Sequence, residues 1–132
     1  MVEIGRSNIR FGWIWILTFL VFGGFLEMKL LDRVWSEQFL APTRSLWRSA
    51  HVHGLLLSFY NLFYGAQIDM TNLTDRAKRG GSVHAIIGAI VLPVALFLST
   101  FYNPLRYLAA LGGLAIIGSA VVMVKGQLEK EG

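Results

Sequence analysis

The stretch RSAHVHGLLLSFYNLFYG, Arg48 to Gly65, sets two histidines two residues apart at the mouth of an otherwise apolar run. At helical spacing His51, Gly54, Ser58, Asn61 and Gly65 step by three or four and fall on one stripe. Leu55, Leu56, Phe59, Leu62 and Phe63 cover much of the remaining surface. In hydrocarbon a polar stripe is costly unless it faces protein, water or a bound group. This helix therefore has a side to hide, and the segments around it are expected to hide it.

Those segments are greasy too. Residues 11–28, 47–67, 83–102 and 105–124 are each mostly apolar, and each is about the 20 residues that a ~30 Å hydrocarbon layer asks of a helix. Across the 132 residues 55% are hydrophobic and only 15% charged, where a soluble domain is about a quarter charged. Alternating strands of the barrel type do not occur. The expectation is an all-α, integral membrane four-helix bundle forming one domain over residues 1–132, with no internal repeat.

The chain has no cysteine, which excludes disulfides, thiolate metal sites and thiol catalysis. The net charge of +4 is spread along the loops, which suits anionic lipid head groups. Nucleic-acid binding, which favours aromatics interleaved with a basic patch, is not expected. Seven of the 12 Lys and Arg lie on the side of both termini and the second loop, so both termini are expected to be cytoplasmic. A bacterial inner membrane is the expected location.

Met1–Arg10 reads as a short polar lead, and Trp13 and Trp15 as interfacial indoles. The first run ends in Glu27-Met28-Lys29 without a small-residue cleavage pattern, so it is expected to be retained. Gly23 and Gly24 would let a neighbour approach closely. Between the first two spans, Leu30, Leu31, Val34, Trp35 and Leu40 recur at near-helical spacing. That pattern fits a short amphipathic helix on the membrane surface, and fits a partly ordered loop equally well. Residues 68–82 read as a polar, basic loop. Pro93, inside the third span, requires a neighbour to satisfy the carbonyl it frees. Gly112, Gly113, Gly118 and Ser119 suit the fourth span to close packing. Asn72-Leu73-Thr74 matches a glycosylation acceptor, but its loop is expected on the cytoplasmic side.

Two groups of candidate site residues follow. On the outer side His51 and His53 stand at the depth of Glu27, the last acid of the first span. Imidazole with carboxylate suits zinc, iron or copper, and Met28 would add a soft ligand for copper. Residues two apart on a regular helix point about 200° apart, so both histidines bind one ion only if that turn unwinds. Arg48, one turn earlier, suits a haem propionate or a lipid phosphate. The bland alternative is hydrogen bonding at head-group level, and a proton-handling role is the third. On the inner side His84 and Asn61 are expected to hydrogen-bond across neighbouring helices, as structural glue or as a second cofactor position. About 12 residues of depth separate His51 from His84, very roughly 18 Å, which is too far for one haem within one subunit.

The segment Arg48-Ser49-Ala50-His51-Val52-His53-Gly54, following a helix that closes on Phe25-Leu26-Glu27, resembles a group of small bacterial four-helix membrane proteins with an R-x-x-H-x-H-G helix. That resemblance implies the fold and no activity. More distantly, an Arg followed three residues later by His in an apolar helix is similar to a haem-bearing helix of the haem–copper oxidase and nitric oxide reductase superfamily. The likeness implies His51 as an axial ligand. The clustered histidines of that superfamily's binuclear centre are missing, so the likeness extends to cofactor binding and not to reduction of oxygen or nitric oxide.

The leading expectation is a protein that binds a haem b or transition metal near its outer face. His51, His53, Arg48, His84, Gly54 and Asn61 would hold the cofactor, with His51, His53 and Glu27 as metal ligands. It would work in electron transfer or as a respiratory-type subunit, as a homo-oligomer or within a larger membrane complex, and more as a cofactor-binding or accessory subunit than as an enzyme by itself. The alternatives are a non-catalytic accessory or scaffold subunit, and a small transporter or proton pathway along Ser58, Asn61 and His84.

Overall fold

The computed structural model describes residues 3–38 and 41–131, and of residues 130 and 131 the backbone only. The described chain is helical, with no strand. It runs α1 (Arg6–Leu31), α2 (Arg33–Gln38), α3 (Ala41–Ile68), α4 (Asp75–Leu98), a 3-10 turn at Asn103–Leu105, and α5 (Arg106–Glu131). Among the described residues α1, α4 and the segment Asn103–Glu129 are long and apolar enough to cross a membrane. The 28-residue α3 is as long, but it carries the polar residues of the opening stretch and is not among those three.

The packing accounts for that difference. α3 lies between α1 and α4, and α5 packs along α4, meeting α3 around Tyr60, Tyr64 and Gln67 and, among the described residues, not reaching α1. The result is a three-helix core with an outer fourth helix, a more open arrangement than a closed four-helix bundle. The inner helix can be the most polar one, because neighbouring helices cover its stripe.

The helices outrun their apolar stretches. α1 begins at Arg6, so most of the expected polar lead is helical. α4 begins at Asp75, where the Thr74 hydroxyl accepts from the Ala77 N–H, 3.4 Å away, and Asp75 adds negative charge to the first turn. The basic loop is therefore shorter than expected, and Arg76, Lys78 and Arg79 ride on the first turns of α4. The amphipathic pattern after the first span is helical in part, as the six-residue α2. Leu40 of that pattern lies outside the described residues.

Small residues set the helix spacing. A Cβ on Gly5 would stand 2.0 Å from the carbonyl oxygen of Gly65, and one on Gly88 would stand 2.7 Å from that of Gly112. Backbone meets backbone at these points, so no side chain can move aside. Of the two glycines near the end of α1, Gly23 is used and Gly24 faces open space.

Each end of the core closes differently. At one end Tyr64, Ile68, Leu73 and Ala85 pack together. There Asp69 reaches over α1 and accepts from the backbone N–H groups of Ile4 (3.2 Å) and Gly5 (2.9 Å). Gly5 has no side-chain cap of its own, so a carboxylate from the α3–α4 connection supplies one. At the other end Trp47 packs on Phe97 with the rings tilted (centroids 4.9 Å apart), with Phe22, Phe25 and Trp35 around it.

Candidate functional site

The polar stripe of α3 is closed by hydrogen bonds from both neighbours. Asn61 is fully buried, and its carbonyl oxygen accepts from the Asn8 amide at 2.8 Å. The Asn61 amide donates to the backbone oxygens of Leu57 (2.9 Å) and Ala85 (3.2 Å). Asn8, also fully buried, donates to the Ser82 backbone oxygen and accepts from the Ser82 hydroxyl. One node thus ties α1, α3 and α4. Ser58, a turn away, donates to Gly54 O at 2.6 Å. Two buried amides with complementary partners on three helices form a register device, since sliding any helix would strand them.

Asn61 is therefore not joined to His84. His84 is exposed, with its Nδ1–H donated to the backbone oxygen of Gly80 at 2.7 Å and its Cδ2 edge beside Gly118 of α5. Azimuth decides the outcome: depth alone made the two residues look adjacent, but they stand on different faces. Gly80 is open, whereas Gly88 is filled by Gly112 and Ile116. Ser58 and Asn61 are fully buried, whereas His84 is exposed.

His51 turns inward toward α1. Its ring lies against Gly23, where a Cβ would come within 2.3 Å of Cε1, and 6.3 Å from the Phe22 ring centroid. Its Nδ1 is buried without a hydrogen-bond partner among the described residues. His53 points elsewhere and donates Nδ1–H to the Ser49 backbone oxygen at 2.8 Å. A carbonyl can only accept, so this bond fixes the Nδ1–H tautomer whenever the ring is neutral. Nε2 then carries the free lone pair. His84 is set the same way. The pattern of one ring nitrogen donated to a backbone carbonyl and the other left bare is how ligating imidazoles are oriented.

Glu27 is exposed, and no ion pair joins it to either histidine among the described residues. Nor do any three of His, Asp and Glu among those residues gather closely enough to hold a metal. The expected set His51, His53 and Glu27 is thus not brought together: equal depth on two helices does not make a shared face. Gly54 is buried under Phe19, whose ring atoms would lie 2.4 Å from an added Cβ. Its space is occupied by protein. Arg48 is exposed on the first turns of α3.

Three residues at the centre of the structure escaped the sequence-based expectations. Asn8 lay in the supposed polar lead, where only its three- and four-residue spacing to Gly5 and Gly12 marked it as inward. Trp15 was expected at the interface; its indole N–H instead donates to the Ala89 backbone oxygen at 3.0 Å. Tyr60 holds α5, its hydroxyl 2.7 Å from Ser119 Oγ. Ser119 itself donates to Ile116 O, so Tyr60 is the donor.

Comparison with protein-family models, curated proteins and solved structures finds no match.

Proposed function

We propose that the chain is a non-catalytic integral membrane subunit, a four-span scaffold that works within a larger membrane assembly or as a homo-oligomer. α3 would be the fourth span, admitted to the bilayer because α1 and α4 cover its polar stripe. Both termini would face the cytoplasm, the side with more Lys and Arg. The observation that carries this reading is the Asn8–Asn61–Ser82 node. The stripe that made α3 resemble a reactive helix is spent on holding three helices in register. Extracting the protein gently from its native membrane and sizing it on a native gel tests the proposal. A band larger than the single chain, retained by a His51→Ala variant, supports it; a monodisperse monomer contradicts it.

A second reading, a haem b or transition metal held between subunits, is favoured by one specific observation: the bare Nε2 of His53 beside its Ser49-oriented ring. A bis-imidazole haem takes one imidazole on each face, and a symmetric pair of chains could supply both. His53 replaces His51 as the proposed ligand, because His51 is turned into the contact with Gly23. An oxidised-minus-reduced spectrum of the purified protein, with His53→Ala and His51→Ala beside it, separates the readings. Haem bands lost only in His53→Ala favour the second. A colourless, metal-free preparation that haem and metals fail to reconstitute removes it.

A further inference from the structure

We infer that the cleft between the end of α1 and the start of α3 is a binding site for the phosphate of an anionic lipid head group, held by Arg44 and Arg48. The cleft has a volume of about 350 Å³ and is lined by Leu30, Ala41, Arg44, Ser45 and Arg48. Arg44 and Arg48 are one turn apart, so their side chains rise from neighbouring points on one face of α3. Two guanidinium forks at that spacing match the oxygens of a phosphodiester.

Three observations point to an anion there. Neither arginine has a carboxylate partner among the described residues, although Arg33 nearby is paired with Glu37 at 3.1 Å. Arg44 donates to the backbone oxygen of Ser36, which restrains its guanidinium at the rim before any ligand arrives. Ser45, which also lines the cleft, adds a hydroxyl donor. The rest of the lining, Leu30 and Ala41, is apolar, which suits a glycerol backbone and the first acyl carbons rather than a free ion. The cleft also lies at the end of the core where Trp35 and Trp47 pack 5.9 Å apart.

The inference rests on the membrane placement proposed above, and the experiment keeps the two apart. Carbonate extraction of the native membrane reads insertion alone; release of the chain would overturn the membrane placement and this site with it. Native mass spectrometry of the full chain in detergent, titrated with phosphatidylglycerol and with diacylglycerol lacking the phosphate, reads the site. The expected result is a tightly retained phosphatidylglycerol, bound roughly tenfold more weakly by the Arg44→Gln/Arg48→Gln double variant and severalfold more weakly by Arg48→Gln alone. Arg106→Gln should bind as the wild type does. Arg48→Gln changes only an exposed side chain, so its reading survives if the double variant fails to fold. Retention that ignores both arginines, equal retention of diacylglycerol, or displacement of the lipid by millimolar inorganic phosphate would each overturn the site.

Discussion

The indole N–H of Trp15 donates to the carbonyl oxygen of Ala89, 3.0 Å away, and that carbonyl is the one Pro93 leaves without its helical donor. Proline has no N–H to offer the residue four positions earlier, and in hydrocarbon an unmet carbonyl has no water to turn to. A side chain on α1 thus completes the backbone of α4. The proline and the tryptophan are one device shared by two helices.

Trp15→Phe keeps an aromatic ring and removes the donor. The expected loss is about 1 kcal/mol of stability in a reversible detergent unfolding series. In a Pro93→Ala background α4 can make its own bond to Ala89, and the same Trp15→Phe change should then cost much less. Equal costs in both backgrounds would dissociate the tryptophan from the proline.

Gly54→Ala drives a methyl into the Phe19 ring and should cost about 1–3 kcal/mol by overpacking. Gly24→Ala, by contrast, meets nothing within 4 Å and should leave stability unchanged or raise it by up to ~1 kcal/mol through helix propensity. The two substitutions are chemically identical, so their difference in the same unfolding assay isolates the packing.

Asp69→Ala strips the start of α1 of its two carboxylate contacts. A loss of about 0.5–2 kcal/mol is expected, as for other helix N-caps, with faster amide hydrogen exchange confined to Ile4, Gly5 and the first turn of α1 that follows them. Unchanged exchange at Ile4 and Gly5 would refute the capping role.

The helical class was legible in the sequence, because apolar runs of this length are read as helices, three of them long and apolar enough to cross a membrane. The demand that Pro93 makes on a neighbour could be read too, although not which neighbour would answer. Azimuth was not legible. His51, His53 and Glu27 share a depth, yet His51 faces Gly23, His53 faces its own backbone at Ser49, and Glu27 is exposed. Asn61 needed a partner, and His84 looked nearest by depth. The partner was Asn8, hidden because the apolar run starts only at Phe11, inside a helix that already begins at Arg6. Trp15 misled for a related reason: an indole at a helix end is equally at home in head groups or against a bare carbonyl.

The central claim, that the polar stripe of α3 is internal structure rather than a reactive surface, comes down to the pairing of Asn8 with Asn61. A double-mutant cycle of Asn8→Ala and Asn61→Ala, read by unfolding in lipid or detergent, measures that pairing directly. A favourable coupling between the two amides of about 0.6 kcal/mol, and up to ~1.7, is the predicted result. Additive losses with no coupling would mean that the two amides do not meet, and the stripe would again need something else to face.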